Sequence, residues 1–455
     1  MKLTLNNFRS FLNQEFSFSR FNLLIGPNSS GKSSLLKFLI LLQQSQEIIN
    51  SNLSVGGPFI DLGSYKDIIR NYDDTLKLSF EFELDIDYID FFTEYILPEE
   101  EVDNSDVILS IRNRLLQITD KNTISFEFDK ELNKHDHLKI TIENKKVGKL
   151  TLESFDPEQR KFIGESYCKL EFEDNKNEKI IFKQLVFEQR SFFRMLSSND
   201  LYNNCIKQDI NGQNLFYDIA FLVVSQNYLE EFLYKLKYVN PVKTQPLRFF
   251  YKRDIKNDPT ANTLEDFLMN LHSTNYTDEE RGLIFNLLNK IVQEYGIAEE
   301  FRAIDYERPR VIEARAKIKN LDSNIDEVGY GVALQIPILL SLILFKKSIV
   351  LIEQPEIHLF PKLEGKLMEL LLKYGSSNTY FIETQSEYPI RKLQVVVKNK
   401  MYEIKPEDIT IHYLTREEEK TIVNVHHIDE DGFLRPMFPE GFYDNSYNLS
   451  TQLLK

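Results

Sequence analysis

Eight consecutive residues near the N-terminus, Gly26-Pro27-Asn28-Ser29-Ser30-Gly31-Lys32-Ser33, have the G-x-x-x-x-G-K-S spacing that suits phosphate chemistry. Gly26 and Gly31 let backbone N–H groups converge on phosphate oxygens, with Asn28, Ser29, Ser30 and Ser34 completing the loop and the start of the helix behind it. Lys32 is expected to reach the β- and γ-phosphates, and Ser33 to ligate Mg²⁺. ATP is the expected nucleotide. A chance glycine loop is the plainer alternative. The four matched positions, set between an apolar strand and a helix, count against it.

A second pattern lies far downstream. Ile349-Val350-Leu351-Ile352-Glu353 reads as an apolar strand ending in a carboxylate, and it continues as Gln354-Pro355-Glu356-Ile357-His358-Leu359. Glu353 is therefore assigned to the metal beside Ser33, held through water, and a nearby carboxylate can orient an attacking water. Alone, the string also fits a core strand that ends in a solvated acidic turn. The P-loop upstream favours the metal reading.

The elements that must position these residues follow from periodicity. Phe21-Asn22-Leu23-Leu24-Ile25 is a short buried strand, and a helix opens at Ser34. Strict alternation in Leu76–Leu84, Thr123–Phe128, Leu138–Ile142 and Lys169–Glu173 predicts an antiparallel sheet solvated on one face, spanning 76–185. Helical spacing takes over in 186–309, as in Phe221, Tyr228, Phe232 and Leu236, then Leu283, Leu287, Leu288 and Ile291. A basic, Pro-rich loop, Tyr238–Arg253, interrupts it. From 310 to 408 the pattern is α/β again, with strands at Ser348–Ile352 and Thr379–Ile382 flanking a helix at Pro361–Tyr374. Two more strands are expected from Ile409 onward. The simplest organisation is an ATPase core split between 1–75 and 310–408, with a large insertion between.

Composition bounds the rest. The chain has 455 residues, 42% hydrophobic and 27% charged, which suits a globular protein of two or three units. A net charge of -15 opposes non-specific polyanion binding over the whole surface. Cys168 and Cys205 stand without a CxxC motif or a His cluster, so neither disulfides nor structural zinc are expected. No leader is apparent at the N-terminus. Val332–Phe345, the most apolar stretch, is too short for a membrane span and reads as a buried helix; a cytoplasmic location is expected.

The motifs and their order resemble the ABC-type ATPases of the RecF, SMC and OLD group, and within it the AAA_15-like ATPases with a C-terminal DUF3696 segment. Leu5–Phe11 resembles their NFRSF start and Phe59–Asp67 their DLGSFKD segment. Tyr238–Lys243, with Pro246 and Arg248, is similar to their YLGPLR loop. Val328–Val332 resembles VGFGVSQ, Glu353–Leu359 resembles EQPEIHLHP, and Phe381–Glu387 resembles ETHSE. Asp431-Gly432 and Phe438–Asp444 are similar to the DUF3696 finish, which makes 409–455 a DUF3696-like segment. No added TOPRIM nuclease module, as in OLD relatives, is expected.

The resemblance implies an α/β fold: a P-loop ABC-type ATPase head with an antiparallel β-rich lobe and a helical insertion. It implies two heads sandwiching ATP, with Gly329 and Gly331 of one copy donating to the γ-phosphate held by the other. Alone, these glycines read as a turn before a buried helix. Ala333 and Leu334 replace the family's Ser and Gln, and Gln335, one residue on, is a candidate substitute. Gln385 replaces the switch His, and Gln354 stands at the place of the ABC catalytic glutamate. An amide can hold a phosphate oxygen but cannot take a proton, which leaves Glu356 as the candidate base. Slow turnover is expected.

The function implied is a nucleotide-gated switch or scaffold, dimerising or of higher order, in prokaryotic defence against phage or plasmids, controlling a separately encoded effector such as a nuclease. The alternatives are a RecF/SMC-like DNA clamp and a regulatory module with structural ATP. Arg9 is a candidate nucleotide contact, or else a surface arginine. Lys243, Arg248, Lys252 and Arg253, interleaved with Phe249, Phe250 and Tyr251, form a candidate nucleic-acid stretch, or else a packed loop with its charges outward.

Overall fold

The computed structural model describes residues 1–47, 53–85, 121–129, 137–155, 165–176, 178–188, 213–239, 247–252, 263–439 and 452. Lys243 and Arg253 of the basic loop, Cys205, and the end of the DUF3696 resemblance at 440–444 lie outside them.

Two units divide the chain. The first comprises Met1–Phe18, Lys37–Tyr234 and Arg416–Val423; the second comprises Ser19–Leu36, Lys235–Thr415 and Asn424–Lys455.

Unit one is built on an antiparallel sheet. Its strands are β1 (Lys2–Asn6), β2 (Gln14–Ser17), β4 (Leu78–Leu84), β5 (Asn122–Asp129), β6 (His137–Asn144), β7 (Gly148–Phe155), β8 (Glu165–Asp174) and β9 (Lys179–Glu188). They lie in the order β2-β1-β4-β5-β6-β7-β8-β9. Strict alternation produces this: Leu78, Phe80, Phe82 and Leu84 are buried while Ser79, Glu81 and Glu83 turn outward. Helix α1 (Lys32–Glu47) contributes Phe38, whose ring meets Phe8 at 5.1 Å and Phe80 at 5.1 Å edge-on; Phe80 in turn stacks on Phe126 at 4.8 Å. A short helix α2 (Tyr65–Ile68) and α3 (Gln213–Tyr234) complete the described helices of this unit. Strands β1 and β2 thus belong with the β-rich sheet, although the sequence pattern groups them with the P-loop.

Unit two carries a largely parallel sheet of β3 (Phe21–Ile25), β10 (Leu236–Val239), β15 (Ile349–Glu353), β16 (Thr379–Glu383), β17 (Ile409–Glu417), β18 (Lys420–Ile428) and β19 (Leu434–Arg435), in the order β10-β15-β16-β3-β17-β18-β19. Pairings from β10 through to β17 are all parallel. Parallel strands are covered on both faces, which is why β3 and residues 349–352 are buried throughout and, Asn22 excepted, apolar rather than alternating.

Helices α4 (Leu264–Leu271), α5 (Asp278–Tyr295), α6 (Tyr330–Leu344), α7 (Pro361–Tyr374) and α8 (Tyr388–Lys398) pack in this unit. Thr263 with Asp266 and Thr277 with Glu280 are reciprocal capping boxes that start α4 and α5, and Gly296, at φ 83°, ends α5. A second sheet has the order β11-β13-β12, from β11 (Phe249–Tyr251), β12 (Glu300–Tyr306) and β13 (Val311–Ile318), with β14 (Leu321–Asn324) also on β13.

Candidate functional site

Three chemistry-bearing segments leave the sheet of unit two at the same edge. The P-loop follows Ile25 at the end of β3, and Glu353 and Glu383 are the last residues of β15 and β16. The register sets Glu353 opposite Glu383, and Glu383 opposite Leu24. The carboxyl ends of parallel strands are where α/β sheets present their loops to ligands.

The P-loop conformation depends on its glycines. Gly26 has φ 140°, and an added Cβ would lie 2.0 Å from the Leu414 carbonyl oxygen on the neighbouring β17. Ser29 adopts φ 61° and Gly31 φ 105°, so the loop coils into the left-handed region before α1 begins. The Ser34 and Leu35 amides already bond to the Gly31 carbonyl, which starts the helix. The Lys32 side chain, only 4% exposed, folds back over the loop and donates to the carbonyls of Gly26 at 3.0 Å and Pro27 at 2.8 Å. Burial lowers the Lys32 ammonium pKa, opposed by the Glu383 and Glu356 charges.

The carboxylates divide their partners. Ser33 Oγ donates to Glu383 Oε1 at 2.9 Å, whereas Glu353 Oε1 accepts from the Tyr238 hydroxyl at 2.8 Å. Ser33 is therefore brought to Glu383, a residue absent from the sequence-based assignment. Its signal was available: β16, like β15, is an apolar strand ending in a carboxylate. Tyr238 carried no such signal.

Beyond β15 the chain makes a strained turn, with Gln354 at φ 43° and His358 at φ 62°. The Gln354 backbone N–H donates to the Glu383 backbone carbonyl at 2.8 Å, and the Glu356 carboxylate accepts from the Gln385 backbone N–H at 2.8 Å. The turn after β15 and the segment after β16 are thus tied together twice. Burial raises the Glu356 carboxyl pKa, opposed by the bonds from Gln385 and Thr384 and by the Lys32 charge. Its second oxygen, Oε2, is buried without a hydrogen-bond partner. Gln354, Glu356, Glu364, Gln385 and Ser386 line a cleft of about 450 Å³. Glu364, whose carboxyl is likewise raised by burial, accepts from Ser386. This arrangement can hold a polyphosphate and a cation at the P-loop and a water molecule in the cleft.

Gly329 and Gly331 open α6. An added Cβ on Gly331 would lie 2.6 Å from the His358 carbonyl oxygen, so the close approach of the helix to the post-β15 turn requires glycine there. A Cβ on Gly329 would meet open space. The Tyr330 and His358 rings lie 5.8 Å apart. Gln335 does not take over a surface contact. It is fully buried, accepts from the Tyr295 hydroxyl at 3.1 Å and donates to the Pro355 carbonyl at 2.8 Å, because a polar residue inside an apolar helix needs internal partners.

The other candidates are placed as follows. The Arg9 guanidinium lies 5.8 Å from the Phe8 ring. In the basic loop Phe250 is buried and Phe249 and Tyr251 are exposed, while Lys252 pairs with Asp305 and Arg248 lies 3.7 Å from Glu327. Each of these two described cations thus faces an acid. Among the described residues no cluster of His, Cys, Asp and Glu could hold a metal by itself, and no helix is long and apolar enough to cross a membrane.

A family model described as an AAA ATPase domain, AAA_15, matches residues 1–398. The chain belongs to that family. A second model, DUF3696, described as a protein of unknown function, matches residues 404–453 of this AAA_15 chain. Family membership implies nucleotide binding, which suits the P-loop geometry.

No curated protein matches. Among solved structures, the Smc head bound to the C-winged helix domain of ScpA is similar at 12% identity and a TM-score of 0.41, over 93% of this chain and 97% of that one. The SMC head domain from Thermotoga maritima gives 12% and 0.33, again over 93% and 97%. The Smc head with an extended coiled coil bound to the C-terminal domain of ScpA, from Pyrococcus furiosus, gives 10% and 0.37, over 100% and 99%.

Proposed function

We propose that this AAA_15 chain is an ABC-type ATPase that binds ATP with Mg²⁺, hydrolyses it slowly, and uses the bound nucleotide to gate association of two heads. One arrangement carries the reading. Lys32 and Ser33 sit on a closed P-loop, while the neighbouring cleft presents two amides, Gln354 and Gln385, where proton-handling groups would speed turnover.

The residues fit the nucleotide. Gly26, Ser29 and Gly31 curl the loop so that the amides of Asn28 to Ser33 are left to face a phosphate, and Lys32 places a buried cation at its mouth. Ser33, with a carboxylate from the strand ends, Glu353 by the sequence pattern, suits the cation. When bound, Mg²⁺–ATP supplies the phosphoanhydride that is cleaved and the charge that neutralises the departing oxygens. Glu356, beside the P-loop in the cleft and with its carboxyl pKa raised by burial, orients the water and accepts its proton. Gln354 and Gln385 hold oxygens by hydrogen bonds without taking protons. Gly329 and Gly331, at the start of α6, donate to the γ-phosphate bound by a second copy. The associated pair then controls a separately encoded effector, in the defence setting that the family resemblance implies.

The test combines single-turnover hydrolysis with light scattering of the full chain. Hydrolysis below about 1 per second, with association that requires ATP, is expected. Rapid hydrolysis with no ATP-dependent association would sink the proposal.

A further inference from the structure

The two strand-end carboxylates are not equivalent. Neighbouring strands lie about 4.8 Å apart. β16 stands between β15 and β3, so Glu383 starts one strand from the P-loop strand and Glu353 two. The Ser33 hydroxyl closes on the nearer carboxylate, at 2.9 Å. The farther one is engaged from the opposite side, by Tyr238 on β10, at 2.8 Å.

We infer that Glu383 is the carboxylate that shares the divalent cation with Ser33, and that Tyr238 is a positioning residue that keeps Glu353 as an outer carboxylate acting through water. This rests on reading the P-loop as a Mg²⁺–nucleotide site. The spacing supports it: oxygens at right angles on an octahedral Mg²⁺, with bonds of about 2.0–2.1 Å, lie about 2.9 Å apart. Ser33 Oγ and Glu383 Oε1 already stand at that separation. Only the hydroxyl proton must turn away for both oxygens to face one cation. The donor chemistry also suits it, since a hydroxyl and a carboxylate are the hard oxygen ligands that Mg²⁺ and Mn²⁺ prefer. Glu353, matched to Glu383 in register, lies at the same level of the sheet, where an outer carboxylate orients a cation's water.

The test separates metal from nucleotide. Nucleotide affinity of the full chain is measured in EDTA with a fluorescent ATP analogue. Mn²⁺ affinity of the nucleotide-loaded chain is then measured by the loss of the free Mn²⁺ EPR signal. Glu383→Gln is expected to leave nucleotide affinity in EDTA near the wild-type value and to weaken Mn²⁺ binding about 10- to 100-fold. Glu353→Gln should weaken Mn²⁺ binding less than Glu383→Gln does, and Tyr238→Phe should match Glu353→Gln. Ser33→Ala, which leaves β16 intact, carries the same expectation as Glu383→Gln if that variant unfolds. Unchanged Mn²⁺ affinity in Glu383→Gln, or a larger loss in Glu353→Gln, overturns the inference. A wild-type chain that binds no nucleotide in EDTA or in Mn²⁺ overturns the underlying reading as well, a result distinct from either variant outcome.

Discussion

Gly26 and Leu414 meet so closely that a methyl group on the first would lie 2.0 Å from the carbonyl oxygen of the second. The P-loop therefore depends on a strand nearly four hundred positions away, inside the DUF3696 match. Gly26→Ala must push these backbones apart and hold alanine at φ 140°. It is expected to cost about 2–5 kcal/mol, from overpacking and backbone strain together. Urea unfolding measures the loss, and a midpoint like that of the wild type would contradict the contact.

Lys32→Ala removes the cation that bridges the Gly26 and Pro27 carbonyls. Nucleotide binding, followed as the rise in melting temperature on adding Mg²⁺–ATP, should disappear. Glu356→Ala should keep that rise and slow single turnover by about 100-fold or more, as loss of a general base does. If Lys32→Ala binds ATP normally, the site lies elsewhere.

Burial holds the Glu356 carboxyl above its usual 4.5. Between 4.5 and that raised value the folded chain binds the proton more tightly than the unfolded chain. Stability contributed by this group is thus greatest at low pH and is lost as pH rises through the window. Glu356→Gln should flatten that part of the curve of melting temperature against pH. An unaltered slope would assign the drift to other groups, Glu364 first among them, since its carboxyl is raised in the same direction.

Gln335 ties α5 to the turn after β15 through Tyr295 and Pro355. Gln335→Leu leaves a buried hydroxyl and a buried carbonyl without that partner. It should cost about 2–6 kcal/mol, at about 1–3 kcal/mol for each orphaned group. Tyr295→Phe orphans only the amide oxygen and should cost less. Equal stability of Gln335→Leu and wild type in urea would refute the network.

Local signals made much of this legible. The P-loop, the buried strand before it and α7 follow from motif, apolar run and the Pro361 start, all within about 15 residues of chain. The capping boxes at Thr263 and Thr277 are equally local. What escaped depends on long-range register. That Ser33 finds Glu383 rather than Glu353 follows from β16 lying between β15 and β3, and strand order is not written in either motif. Tyr238 reaches Glu353 from 115 positions away, on a short strand whose pairing has no local marker. Gln335 misled for a different reason. It stands one residue after the position where relatives carry Gln, which suggested the same contact, and only the packed structure reveals its internal partners.

The position of β3 has a consequence for biogenesis. It lies between β16 and β17, so a strand made within the first 25 residues acquires both neighbours only after Ile409–Glu417 has been synthesised. At about 5–20 residues per second, the wait is on the order of tens of seconds. During that time a largely apolar five-residue strand has unpaired edges, a hazard for association with other chains. A nascent chain stalled before β17 would lack the strand whose backbone packs against Gly26, so ATP-binding competence should arrive only once that strand has been made and docked.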